Sequence, residues 1–484
     1  MQNKITNPTW VDYRWPALFL AYFTLQIFLR TVVIGRGLGI DEAELMLTAQ
    51  TLEWGYGVQP PLYSWIQHGL FALFGETIFA LSLLKNSFLC LTYLALFRLL
   101  RNHYDTEIAG LATLSLLLLP QIGWESQRAL SHSVLATTMA SITFLLFSRL
   151  IVSRSLWLYL FFGIAVALGV LAKFNYVIFP IALLISAISL RSTREAILNP
   201  RIFLSFAAIS TILFFPFQWI INHQTSVLET VNKFSIHPDT AKLISALAGF
   251  LSLAKASFLF SAVPLFILVF LFFRYNKKTM ISSGDLPFFH LLVRTVITAL
   301  LLTLIIILCS GTTNVKDRWL QPILFLAAPT MTVWLLPKLS ELGRHRFMQI
   351  VGIAALLIFA ILPIHDIKAS RRSTPFPEIV SAIADRYPET KTIFAKDKWV
   401  GGNFRYLNKE WLIAVPGKHP EVLKGEVICV WPSQQTTIPR VMTKYLKTRG
   451  KKIISVDPTT TVKLAHPPNS ESIFTLNFTA IRLE

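Results

Sequence analysis

GIDEAELMLTAQTLEWGYGVQPPLYSW, residues 39–65, is a polar, carboxylate-bearing stretch stiffened by two adjacent prolines and set between two long apolar segments. Asp41, Glu42 and Glu44 stand at the edge of runs apolar enough to enter a bilayer. Ionised groups in such a place are costly unless they have partners or a task. The stretch therefore decides the reading of the chain: its flanks belong in a membrane, and the loop between them is a place for chemistry at the membrane surface.

Composition supports the first half of that reading. Of 484 residues, 54% are hydrophobic, 13% aromatic and only 15% charged, and the mean hydropathy is +0.56. An ordinary soluble protein is far more polar, so the chain is expected to be a polytopic α-helical membrane protein. The three cysteines, Cys90, Cys309 and Cys429, show no paired or metal-type spacing, which leaves neither a disulfide framework nor a zinc site. A net charge of +19 invites a nucleic-acid reading. Most Lys and Arg before the tail, however, lie in short loops between apolar runs, where they orient helices, so the expected partner is an anionic membrane surface and not nucleic acid. The apolar run from Pro16 to Ile34 is too long for a cleavable signal and reads as a retained first span.

About eleven segments are apolar enough to cross or nearly cross a bilayer: 17–34, 78–100, 108–119, 133–150, 157–172, 174–190, 202–221, 256–273, 291–309, 319–336 and 347–364. With that count, the basic pairs Arg98/Arg101, Arg149/Arg154, Arg191/Arg194, Arg274/Lys277 and Arg344/Arg346 all fall on one side. The positive-inside rule makes that side, and the N-terminus with Lys4 and Arg14, cytoplasmic. An odd number of spans then puts the C-terminus outside. From about Lys368 the composition changes, and strand-like runs KTIFA, WLIAV, EVICVW, KIISV and SIFTLNFTAI alternate with helix-like PEIVSAIADRY and IPRVMTKYLKTRG. Residues 1–367 are thus expected to form the transmembrane domain and 368–484 a small α/β domain outside the membrane.

The outer side would carry residues 39–65, QIGWESQRALSH (121–132), the turn at Lys173, residues 222–255 and GTTNVKDRW (311–319). Carboxylates, cations and aromatics gather on that side. Within the first loop, Asp41 precedes a helical pattern with Glu44 three residues later, which predicts a surface-lying helix starting at Asp41. Two readings of Asp41 stay open, an N-cap alone or a catalytic carboxylate; capping leaves Glu42 without a role.

The residues also carry a family resemblance. DEAELMLTAQTLEWGYGVQPPLYSWIQHGLFALFG resembles the first outer loop of bacterial GT-C membrane glycosyltransferases, the group related to protein O-mannosyltransferases, lipid A aminoarabinose transferase and lipopolysaccharide core galacturonosyl transferases. An Asp-Glu pair, then Gly-Tyr, then Pro-Pro-Leu and a Trp carry the match. It continues in GVLAKFNYVIFP, in NVKDRWLQPIL and in GGNFRYL of the tail. The resemblance implies a sugar donor on a polyprenyl phosphate and inverting transfer of a hexosyl or pentosyl group to lipid A, lipopolysaccharide core or a protein, outside the cytoplasmic membrane. Asp41 would be the base that takes the acceptor proton, and Glu42 would hold the acceptor or stabilise the loop. Phosphate is a good leaving group that needs cations more than an acid. Arg128, Lys173, Lys316 and Arg318 are the outward candidates, with Tyr56, Gln59 and Pro61 of the first loop and His132 completing the expected substrate contacts.

Each cation also has a plainer reading, as a snorkelling side chain, a head-group anchor or a solvated loop charge. His132, in RALSHSVL, stands where many relatives have an acidic residue; either the imidazole replaces it or the position only packs. His223 and His237 are too far apart for a local ligand motif, and a divalent metal stays open. Lipid A aminoarabinose transferases carry Lys immediately before Pro-Pro, where this chain has Gln59, which separates it from that subgroup. A carrier or flippase of a lipid-linked sugar is the alternative from another class, and would place polar residues deep in several spans and helix breaks at matching places in two halves. A non-catalytic envelope scaffold is a third. On the topology above, an epitope tag after Glu484 is accessible to antibody from outside intact spheroplasts; a protected tag would show the span count to be off by one.

Overall fold

The structure, a computed structural model, describes residues 10–35, 37–57, 59–223, 242–277, 285–368, 371–466 and 469–484. His237 lies outside them. Among the described residues, seven helices are long and apolar enough to cross a membrane, or up to nine if each of two sharply bent helix pairs is one span. The seven match sequence segments directly, for example Ile78–Arg101, Ser131–Ser153, Ile202–Asn222 and Leu286–Ser310. The remaining four of the eleven expected segments are helical but broken or short. Residues 108–119 bend by 76° into 121–128, and 174–188 bend by 117° into Arg191–Leu198. Leu156–Ala172 has 17 residues, roughly 25 Å against a hydrocarbon core of about 30 Å. Residues 319–336 split into Gln321–Leu324 and Ala327–Leu335, because Pro322 and Pro329 cannot donate to a continuous helical ladder.

The described residues form two compact units, one of 1–26, 53–63 and 85–358 and one of 27–52, 64–84 and 359–484. In the first, helices meet through small residues and hydroxyls. A Cβ on Gly163 would lie 2.5 Å from the Ser205 carbonyl oxygen, so only glycine lets Leu156–Ala172 approach Ile202–Asn222 this closely. Ser205 Oγ donates to the Tyr159 carbonyl at 2.6 Å across the same contact. Thr92 and Thr138 hydroxyls pair at 2.9 Å between Ile78–Arg101 and Ser131–Ser153. Leu286–Ser310 starts on Asp285, whose carboxylate accepts from Phe288 N at 3.2 Å, and stops at Gly311, φ 70°.

The second unit holds a six-stranded sheet: β1 (Thr392–Ala395), β2 (Leu412–Ala414), β3 (Gly425–Pro432), β4 (Ile453–Val456), β5 (Thr460–His466) and β6 (Asn469–Leu483). The order is β2-β1-β3-β6-β4, with β5 also on β6; β2, β1 and β3 are parallel and β6 antiparallel to β3. Alternation sorts the strands onto two faces. Ile393, Ala395, Ile428 and Val430 pack under Phe376, Ile383, Val400 and Phe404 of helices Phe376–Arg386 and Lys398–Leu407. Phe394, Cys429 and Trp431 face Met442 and Leu446 of Arg440–Thr448. Five of the strands and two of the helices follow the sequence reading. β5 and Lys398–Leu407 do not, the first because TTVKLAH lacks an apolar run, the second because Gly401 and Gly402 at its centre weaken the helical pattern.

Leu47 of the first loop joins the core of the sheet's upper face. Its helix, Ile40–Thr48, packs on Lys398–Leu407, where a Cβ on Gly402 would lie 2.1 Å from the Ala43 carbonyl oxygen. Burial pushes the Cys429 thiol up to about 12. Thiolate, not thiol, reacts with maleimide, so Cys429 in the folded chain stays unmodified at pH 8 and labels once the chain is denatured. Mass mapping of adducts reads this, and labelling of Cys429 in the folded chain would contradict the packing of this face.

Candidate active site

Asp41 and Glu42 open the helix Ile40–Thr48, and the cap is not the expected one. Gly39, extended at φ −69° and ψ 174°, is the N-cap, and Asp41 lies inside the first turn. Glu42 supplies the capping carboxylate: its Oε2 accepts from Gly39 N at 2.8 Å. The same carboxylate takes four more hydrogen bonds, from Arg30 Nε and Nη2, both at 2.9 Å, and from Arg372 Nε at 3.1 Å and Nη2 at 3.0 Å. Arg372 Nη1 in turn donates to Asp366 Oδ2. Glu42 is 3% exposed, Arg30 6%, Arg372 3% and Asp366 2%, so two guanidinium groups and two carboxylates balance each other out of water. Burial alone would lower the Arg372 guanidinium, but Glu42 and Asp366 outweigh it and hold it above its ordinary value. Glu42 therefore locks the loop, and the half-buried Asp41 beside it is carried on a fixed turn.

Neighbouring contacts tighten the same segment. Asn403 Oδ1 accepts from Leu38 N at 2.8 Å and Trp399 Nε1 donates to Leu38 O at 3.0 Å. Lys398 Nζ meets Glu44 Oε1 at 2.5 Å, and Arg405 forks onto Glu76 at 3.1 and 3.2 Å. GGNFRYL is the segment that grips this loop: Gly402 by its missing Cβ, Asn403 and Arg405 by these bonds.

The other eight expected residues belong to the first unit. Tyr56 and Gln59 close a tight turn on each other, N to O at 3.2 and 3.4 Å, ahead of the buried Pro61. Tyr56 OH accepts from Glu53 N at 3.1 Å, and burial raises its phenol. His132 Nδ1 donates to the Ala172 carbonyl at 3.3 Å, and its ring lies 5.5 Å from that of Tyr63. Lys173 Nζ donates to Ser133 Oγ at 2.6 Å and to the Arg318 carbonyl at 3.1 Å. Asn175 Nδ2 donates to Trp319 O at 2.6 Å, and Gln121 Nε2 to Asp317 Oδ2 at 2.8 Å. The Lys173 turn, residues 121–132 and residues 311–319 are thus one connected surface. Arg128 pairs with Glu125 at 3.1 Å and lies over Trp124.

Beside that surface is a cavity of about 460 Å³ lined by Asn314, Lys316, Asp317 and Arg318 and by Ser252 and Lys255 of the helix Lys242–Tyr275. Sequence reasoning placed Lys255 only as the end of an outer segment, and passed over Arg30, Arg372 and Asp366. A charge inside an apolar run, as in LFLAYFTLQIFLRTVVIG or LSLAKASFLF, is the signal that finds Arg30 and Lys255. Among the described residues no three His, Cys, Asp or Glu side chains gather as a metal site. His223 stacks on Trp219 with ring centroids 4.4 Å apart.

Residues 58–220 match the family described as dolichyl-phosphate-mannose-protein mannosyltransferase. The chain is 32% identical over 402 residues, 80% of each protein, to the lipopolysaccharide core galacturonosyltransferase RgtB of Rhizobium johnstonii. It is 27% identical over 442 residues, covering 87% of this chain and 86% of the relative, to RgtA of the same organism. The fold is that of ArnT from Cupriavidus metallidurans, with a TM-score of 0.61 in the apo state and 0.57 for the structure bound to undecaprenyl phosphate, at 12% and 14% identity. Each comparison covers 96% of this chain and 98% of the ArnT chain. Fold and sequence together define a multi-pass membrane glycosyltransferase of the GT-C type. The chain belongs to the family of membrane glycosyltransferases that includes RgtB and RgtA.

Removing one partner from a buried ion pair costs about 3–5 kcal/mol. Glu42→Gln is therefore expected to lower the thermal unfolding midpoint in detergent clearly, with Asp41→Asn close to wild type. Equal midpoints for Glu42→Gln and wild type, read by intrinsic fluorescence, would remove the lock from the account.

Proposed function

We propose that this chain transfers a galacturonosyl group from a polyprenyl-phosphate donor to the lipopolysaccharide core, on the outer face of the inner membrane. The sugar and acceptor follow from likeness to RgtB and RgtA. The undecaprenyl phosphate bound by ArnT supports a lipid-linked donor. Residues 368–484 then form a domain outside the membrane, with the N-terminus in the cytoplasm.

Asp41 is the base. As the acceptor hydroxyl attacks the anomeric carbon, its proton passes to the Asp41 carboxylate, the bond to the phosphate oxygen breaks, and a single displacement inverts the anomeric centre. The leaving polyprenyl phosphate takes the bonding electron pair and is met by cations, for which Lys173, Lys316 and Arg318 are assigned. Lys173 is oriented by Ser133 Oγ and the Arg318 carbonyl, so its charge is placed before the donor arrives. Arg128, already paired with Glu125, is a weaker candidate. The observation that carries the proposal is the Glu42 clamp: a chain that buries two arginines to fix one turn has fixed the carboxylate next to it.

Loss of a positioned base typically costs 10²–10⁴-fold in rate. In a strain lacking this chain, the wild-type gene is expected to restore the missing uronic acid to the core oligosaccharide, as read by mass spectrometry. Asp41→Asn, inserted in the membrane at the same level, is expected not to. Restoration by Asp41→Asn would sink the base assignment, and an unchanged core in the deletion strain would sink the acceptor.

A further inference from the structure

The cavity beside residues 311–319 carries more positive charge than a phosphate ester needs. Lys255, Lys316 and Arg318 line it against one carboxylate, Asp317. That carboxylate already accepts from Gln121 Nε2 at 2.8 Å and from Arg318 N at 2.8 Å. A sugar joined to a polyprenyl phosphate is a phosphodiester with a single negative charge. A uronic acid sugar adds a second, on its own carboxylate, borne on C5 across the ring oxygen from the anomeric carbon.

Lys255 is the unusual member of the set. It is the sole ionised side chain between Lys242 and Arg274 in a helix of otherwise apolar and small residues, where a charge is expensive without a function. Ser252, Lys255, Ala256 and Leu259 form one stripe at helical spacing toward the cavity. The opposite wall is fixed to that stripe: Val315 N donates to Ser252 Oγ at 2.8 Å, and a Cβ on Gly249 would lie 2.4 Å from the Thr312 carbonyl oxygen. The volume, about 460 Å³, lies within the range of small-molecule sites.

We propose that this cavity receives the carboxylate of a uronic acid sugar on the lipid-linked donor, with Lys255 as the residue that separates a uronate from a neutral sugar. The proposal rests on the reading of the chain as a transferase of lipid-linked sugars. In this assignment Lys316 and Arg318 also serve the phosphate, whereas Lys255 answers only to the second charge. Lys255 and Arg318 are exposed and Lys316 is half-buried, so the preference for a uronate over its neutral analogue rests on the attraction of unlike charges across an open cavity.

The test is equilibrium binding of two donors to the full chain in lipid nanodiscs, polyprenyl-phosphate galacturonate and polyprenyl-phosphate galactose, which differ only in that carboxylate. The wild type is expected to favour the uronate, and Lys255→Gln to reduce that preference roughly ten-fold, the equivalent of one charge-assisted hydrogen bond. An unchanged preference, whether because both donors weaken together or because neither does, overturns the proposal: the first outcome gives Lys255 to the phosphate, the second to the lipid head groups. Transfer to core oligosaccharide is followed in the same samples. Binding with the expected preference but without transfer would fail the transferase reading while supporting the cavity assignment.

Discussion

Glu42 accepts hydrogen bonds from two guanidinium groups and from the backbone at the start of its own helix, and the second compact unit is organised around that carboxylate. Arg30 arrives from the end of the first span, Arg372 from the turn that precedes the sheet, and Asp366 from the end of the last long helix. Four ionised groups out of water lose much hydration, and their mutual attraction roughly repays it. What such a cluster provides is uniqueness of arrangement: any other register of the loop leaves a buried charge unmatched. The neighbouring Asp41 gains a fixed position while staying half-buried.

The first unit reaches order by a different chemistry. Its loops around residues 121–132, 173–175 and 311–321 are joined through hydroxyls, side-chain amides and backbone carbonyls: Lys173 to Ser133 and Arg318 O, Asn175 to Trp319 O, Gln321 to Ser126. Such contacts fix where each side chain sits. Two of the acceptors, the carbonyls of Arg318 and Trp319, lie just ahead of the short helix Gln321–Leu324.

Much of this was legible in residue patterns. Apolar runs located the long helices, strand-like runs located five of six strands, and polar loops held Glu42, Lys316 and Arg318, whereas Arg30, Lys255 and Asp366 sit in helices. What stayed hidden depended on partners remote in sequence. Glu42 reads as surplus in the local pattern because Arg30 is 12 positions away and Arg372 is 330. Gly39 takes the cap from Asp41 because Glu42 reaches back to its N–H, a choice that local propensity ranks the other way. GGNFRYL looked like a weak tail motif, yet each of its polar or small residues answers a contact in 37–76 that no window of the sequence contains.

Gly402 against the Ala43 carbonyl has a practical corollary for anyone dissecting the molecule. A fragment beginning at residue 371 would retain all six strands and the helices on both faces of the sheet. It would lack Leu47, which fills part of the core, Leu38, which satisfies Asn403, and Glu42, which neutralises Arg372. Released from the rest of the chain, the fragment would present an apolar socket, an unmatched amide and a bare guanidinium on one face. Soluble expression of the sheet region thus calls for a tether that supplies residues 37–48 in cis, or for substitutions that refill that face.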